Sequence, residues 1–241
     1  MKCQPTQVND WFRTDLGQRL LDAEVTVLQK ILPHLFGYHL VQMGGVGEER
    51  LIASSRIVHR CLLNHAEVIH PLKAFSQVSV EIETLPLTQD CIDVVVLPHV
   101  LEFERHPYAI LQEIERVLIP EGHLVIIGFN LFSLWGVWQH LSIRRRTVPW
   151  CGNFLSLLRL RDWLAVLGFS LEEEHTFFFL PPINNKRIAN YTVFLEKLGS
   201  CLAWKFGAIY VVVAKKRVAT LTPLRPKWHS TNAVLTVPKT S

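Results

Sequence analysis

At 241 residues the chain is long enough for one large α/β domain and short for two independent ones. Hydrophobic residues make up 49% and charged ones only 19%, below the roughly 25% usual in soluble domains, so a well-buried fold with one exposed apolar surface is expected. The net charge of +4 is mild, and much of it sits in Arg144 to Arg146 and in the tail after Ala214, where a modest patch could meet phosphates or anionic lipid, or simply be a solvated face.

The first periodic segment is 14–35: Thr14 can cap a helix, and Leu16, Leu20, Leu21, Val25, Leu28, Ile31 and Leu32 recur at helical spacing. Pro33 and Gly37 close it, and "GYHLVQMG" follows as a strand that runs into a glycine turn. "EERLIASSR" is a short helix candidate, "IVHRCLL" a second strand, and "QVSVEIETLPL" alternates as a third. "CIDVVVLPHVLEF" is apolar on both faces through Val94 to Leu97, which is what a parallel sheet covered on both sides produces. An amphipathic helix, "HPYAILQEIERVLIP", leads through a turn at Glu121–Gly122 into another buried strand, "EGHLVIIGF". An aromatic insert over 129–153 carries Phe129, Phe132, Trp135, Trp138 and Trp150. A helix is expected at about 154–167, ending at Gly168, and "FSLEEEHTFFFL" and "AIYVVVAKK" can pair as two final strands. "FFFLPP" has the look of an edge strand whose prolines stop further pairing. Residues 1–217 thus form one domain, and the basic tail over 218–241, with three prolines, is expected to be poorly ordered.

Strands alternating with helices imply an α/β fold: a Rossmann-like, doubly wound, mostly parallel sheet. In such sheets ligands bind beyond the carboxyl ends of the strands. The residues to read are therefore Gly44 to Gly47, Asn64 and His65, Glu81 to Glu83, Pro98 and His99, and Phe129 and Asn130. The glycine turn "LVQMGGVGEE" has the form of a cofactor loop, because glycines let backbone N–H groups approach an anionic group. Its alternatives are a bare structural turn and an NAD site, the latter disfavoured because G-x-G-x-x-G is absent. Five widely spaced cysteines argue against a zinc site or a disulfide framework, and eleven scattered histidines show no metal-binding spacing, so no metal is expected. There is no run of ~20 apolar residues and no apolar signal-peptide core, so a cytoplasmic location is expected.

Five motifs fall in order between Glu81 and Phe129: Leu85–Pro86, Asp93 opening a strand, His99 to Glu102 after it, Arg116 to Leu118 closing a helix, and Pro120 with Gly122 in a turn. This stretch resembles the class I S-adenosylmethionine-dependent methyltransferases, and the likeness extends over ~37–215, closest to the small-molecule branch that includes quinone-biosynthesis enzymes. The resemblance implies a sheet ending in an antiparallel hairpin strand and S-adenosylmethionine as cofactor. It places Gln42, Gly44, Gly45 and Gly47 at the family's first motif, with Gln42 where that motif has an acid. Asn64 or His65 stands where a ribose-binding carboxylate is usual, Glu81 and Ile82 at the adenine, and Pro98 at the end of the fourth strand. His99 becomes a candidate general base, or a residue that packs at a helix start, and Glu102 is expected to be structural.

The expected function is methyl transfer to a small, apolar acceptor; the alternative is a catalytically inactive member of the fold acting as a binding or assembly partner. A nucleic-acid partner is not expected. The Trp/Phe/Arg insert suits a lid, core packing, a homodimer contact or peripheral membrane association.

Overall fold

A computed structural model of the chain describes residues 5–46, 48–64, 76–141, 148–180 and 207–218. The expected loop between the last two strands (181–206) and the basic tail (219–241) lie outside them.

Two helices open the fold. α1 (Pro5–Phe12) has no counterpart in the sequence reading, because its apolar residues are too few to show a period. α2 (Asp15–Ile31) starts where expected, with the Thr14 side chain accepting from Gly17 N. Its buried stripe is Leu20, Leu21, Glu24, Leu28 and Ile31, so a carboxylate occupies a core position.

The sheet has seven strands in the order β3-β2-β1-β4-β5-β7-β6. β1 (His39–Met43), β2 (His59–Asn64), β3 (Ser76–Ser79), β4 (Ile92–Pro98) and β5 (Leu118–Phe129) run parallel. β7 (Ile209–Lys216) is antiparallel to both β5 and β6 (Phe169–Phe177), the hairpin expected at the sheet edge. Gln42 lies opposite Leu62 of β2 and Val96 of β4, which puts the ends of these three strands side by side. β1 is pinned to β4 at the other end: Asp93 Oδ2 accepts the N–H groups of Tyr38 (3.0 Å) and His39 (2.9 Å).

One core lies under α1 and α2, and the other under α3 (Pro107–Val117) and α5 (Leu157–Val166, capped by Ser156). Val94 to Leu97 feed both cores alternately, as double-sided burial requires.

Five expectations need correction. Residues 48–56 make only a 3-10 turn (Glu48–Arg50), since "LIASSR" has too little helical periodicity to continue it. The third strand stops at Ser79, and Glu81 to Thr84 turn instead. The turn at Glu121–Gly122 is absorbed within β5 as an irregularity, where pairing jumps from Ile92↔Leu118 to Val94↔His123 and Glu121 takes a φ of 66°. Within the aromatic insert, Leu134–Leu141 forms a helix, α4, that the density of aromatics obscured. Cys151 is disulfide-bonded, which the wide cysteine spacing gave no sign of.

Candidate cofactor and acceptor site

The parallel strands bring Gln42, Gly44, Asn64, Ile82 and Pro98 to the carboxyl-end side of the sheet. Gln42 is fully buried. Its Nε2 donates to Gly44 O (3.3 Å) and Val46 O (3.1 Å), which curls the loop back over the strand end. Its Oε1 has no partner. Gly44 takes a φ of +93° and donates its N–H to Leu63 O at 2.8 Å. A Cβ there would lie 2.9 Å from Val100 Cγ2, so backbone conformation and space both require glycine. Gly45 lines a cleft of about 230 Å³ with Phe12, Arg13, Gln18 and Arg50, which places α1 and α2 beside the loop. Gly47 and His65 lie outside the described residues.

Asn64 ends β2, is buried, and its Oδ1 also lacks a partner. Each such buried acceptor costs about 1–3 kcal/mol until a donor reaches it. Two of them stand on adjacent strand ends, where a group carrying N–H or O–H could satisfy both. Ile82 is buried just past β3, while Glu81 beside it is exposed. Pro98 is the buried last residue of β4.

His99, next in the chain, has a φ of 53° and keeps its backbone N–H on Ile127 O (2.9 Å). The ring turns away from solvent, between Phe12 (5.2 Å) and Phe129 (4.4 Å). Nε2 meets Glu24 Oε1 at 2.7 Å, and Nδ1 faces Glu102 Oε1 at 3.7 Å, an electrostatic contact too long for a hydrogen bond. Glu102 Oε1 instead accepts Phe129 N at 2.7 Å, which fastens the loop after β4 to the end of β5. Burial alone would lower the His99 pKa, but the carboxylates of Glu24 and then Glu102 outweigh it and raise the group to about 9. The two carboxylates thus favour the imidazolium form of His99, which donates a proton rather than accepting one. Burial, with Glu102 adding to it, likewise raises the Tyr210 hydroxyl well above its usual range. Gly128 leaves room for this group: a Cβ would lie 2.4 Å from Tyr210 Oη and 2.5 Å from Glu102 Oε1.

The aromatic insert divides in two. Trp135 is fully buried, stacks on Phe129 at 5.8 Å, meets Trp11 edge-on, and donates its Nε1–H to Leu180 O at 2.7 Å. Phe132, Leu134, Val137 and Trp138 are exposed. Arg144 to Arg146 lie outside the described residues. A cavity of about 610 Å³ opens beyond β4 and β5, walled by Leu101, Leu131, Trp150 and Phe154, with Arg105 and Arg159 on its lining.

Residues 54–126 match the family described as methyltransferase domain. The fold agrees: a Thermotoga maritima SAM-dependent methyltransferase, a possible histamine N-methyltransferase, superposes with a TM-score of 0.65 at 19% identity, over 88% of this chain and 97% of that one. Residues 54–126 of the chain are thus similar to the methyltransferase domain, within a fold shared with solved methyltransferases.

A second methyltransferase-fold neighbour comes from a complex of the Haloferax volcanii Trm112 methyltransferase activator with a methyltransferase, at TM-score 0.62 and 16% identity over 90% of this chain and 98% of that chain. By sequence the chain is 29% identical to the uncharacterized protein YafS of Escherichia coli (strain K12), over 82% of this chain and 76% of that one.

The Thermotoga neighbour is described as SAM-dependent, and the donor groups that S-adenosylmethionine carries can be compared with the strand ends of this domain. Its ammonium and ribose hydroxyls are hydrogen-bond donors, and Gln42 Oε1 and Asn64 Oδ1 are buried acceptors without partners. Glu24, Phe12 and Tyr210 escaped the sequence reading of the site. Glu24 did leave a signal, as the one charged residue in the buried stripe of α2.

Proposed function

We propose that the protein transfers a methyl group from S-adenosylmethionine to a small, largely apolar acceptor. The observation that carries the reading is the pair of buried, partnerless acceptor atoms, Gln42 Oε1 and Asn64 Oδ1, beside the glycine turn. Gln42 and the turn would hold the amino-acid end of the cofactor, Asn64 the ribose, and Ile82 the adenine side.

When bound, S-adenosylmethionine supplies an already electrophilic methyl group, so the protein's part is to position and to exclude water. His99 acts in this reading as a positioning residue. Its ion pair with Glu24 draws α2 onto the end of β4, and Phe12, Phe129 and Trp135 keep water from that end. The cavity beyond β4 and β5 has the size of a small-molecule site, and its lining mixes Leu101, Trp150, Phe154 and Trp163 with Glu104, Arg105, Gln139, Asn153 and Arg159, which suits an acceptor with an apolar body and a polar handle.

Calorimetric titration with S-adenosylmethionine and with S-adenosylhomocysteine tests this directly. Micromolar binding of either, weakened at least tenfold in Gly45→Asp, is the expected result. An absence of binding up to millimolar concentrations would leave the strand-end acceptors without their ligand and end the proposal.

A further inference from the structure

The cavity of about 610 Å³ beyond β4 and β5 has a wall of rings that are braced from behind. Trp150 is half-buried and tilts against Trp135 at 5.5 Å and Phe154 at 6.2 Å, and Phe154 in turn stacks on Phe129 at 4.9 Å. Trp163, also half-buried, meets Tyr108 edge-on at 5.7 Å. Rings packed in this way do not fall into the space beside them, so the cavity is preformed for a flat apolar body.

Charge decides what that body carries. Glu104, Arg105 and Arg159 are on the lining, and two guanidinium charges less one carboxylate leave a single positive charge. Among the described residues neither arginine has a carboxylate partner, and Glu104 is engaged elsewhere. Arg159 lies over the Trp163 ring at 5.5 Å, which holds its guanidinium beside the aromatic wall. It stands in the first turn of α5, where the helix dipole disfavours a cation and no acid offsets it. The helix therefore gains nothing from this charge, whereas a ligand does. Gln139 Nε2 is already taken by Gly152 O at 2.6 Å, so the arginines are the strongest donors left. A guanidinium fork matches the two oxygens of a carboxylate, and one net positive charge balances a monoanion rather than a phosphate dianion.

We infer that the acceptor is a carboxylate-bearing aromatic compound, its ring against Trp150 and Phe154 and its carboxylate held by Arg105 and Arg159. The inference rests on the methyl-transfer reading for calling this ligand the acceptor, and it adds the charge and shape that select it. Both arginines are exposed, so a carboxylate reaches them without a change in the fold.

Calorimetric titration of the full chain with 1-naphthoate, indole-3-acetate and their neutral amides tests it, with and without S-adenosylhomocysteine. Each carboxylate should bind about tenfold or more tightly than its amide, and less tightly as salt screens the arginines. In Arg105→Gln/Arg159→Gln that preference should vanish, while the melting temperature and the affinity for S-adenosylhomocysteine match the parent's. 1-Naphthyl phosphate should bind no better than 1-naphthoate. Amides that bind as well as the carboxylates would overturn the inference, as would no binding of either carboxylate up to about 10 mM. So would a preference that survives in the double variant, or tighter binding of the phosphate. The two readings fail separately: a lack of S-adenosylhomocysteine binding ends the methyl-transfer proposal, whereas the carboxylate preference is also read in its absence.

Discussion

Glu24 of α2 and His99 at the end of β4 meet at 2.7 Å with both side chains fully buried. This contact joins two parts of the fold that are 75 residues apart in sequence. Helical periodicity places Glu24 on the inner face of α2, and sheet order places His99 at the centre of the strand ends. The N-terminal helices are therefore held on the site by charge as well as by Phe12 and Leu20. Glu24 Oε2, His99 Nδ1 and Glu102 Oε2 are left without hydrogen bonds. That is a costly arrangement, and it is acceptable only while the charges face one another.

The pair makes stability depend on pH. The folded-state pKa of His99 is raised to about 9 from 6.5, so its contribution is fully present below about pH 6.5 and is lost as pH rises through about 9. The shift corresponds to about 3 kcal/mol. Calorimetric melting across pH 6 to 10 should show the parent losing stability over this window, and His99→Gln lying lower at pH 6.5 with a flatter profile. Parallel curves for the two proteins would refute the assignment.

Removing the carboxylate alone is the harsher change. Glu24→Gln leaves His99 buried without its main counter-charge and should cost about 3–5 kcal/mol in urea unfolding at pH 7. The double variant Glu24→Gln/His99→Gln should cost clearly less than the sum of the single changes, because the second substitution removes the stranded charge. Strict additivity would mean that the two groups do not interact.

At the opposite end of the sheet a cation is buried for structure alone. Lys216 Nζ donates to Asp90 Oδ1 (3.0 Å), Glu115 O (2.6 Å) and Leu118 O (2.8 Å). It thereby ties β7 to the junction of α3 and β5. Lys216→Met keeps most of the volume and strands two carbonyls, so a loss of about 3 kcal/mol is expected, with ligand binding unchanged. A variant as stable as the parent would show that water replaces the ammonium.

The parts of the fold that could be read from sequence are those where one period dominates. Val94 to Leu97 are apolar on every residue, and α2 repeats its leucines faithfully, so both were placed within a few residues. The hairpin of β6 and β7 followed from "YVVVA" and its partner strand. α1 and α4 were missed for opposite reasons: one has too few apolar residues, and the other has apolar residues on both faces. That Gln42, Gly44 and Asn64 stand at or just past strand ends was legible because the strand ends of a parallel sheet are fixed by topology. The state of His99 was not, since it depends on Glu24, and no local pattern brings residues so distant in the chain together.

Gln42 offers the sharpest test of the strand-end site. Its amide holds two carbonyls through Nε2 and leaves Oε1 free. Gln42→Leu removes both functions, so the ligand-free protein should lose about 2 kcal/mol and S-adenosylmethionine should bind at least tenfold more weakly. Gln42→Glu separates them. A carboxylate oxygen would then face Gly44 O and Val46 O, which lowers the melting temperature of the ligand-free protein. The same carboxylate attracts an ammonium group, so the increase in melting temperature on adding S-adenosylmethionine should exceed the parent's. Thermal melting of the three proteins with and without the compound distinguishes these effects. If Gln42→Glu melts with the parent and gains nothing extra from the ligand, Gln42 neither braces the turn nor faces the cofactor.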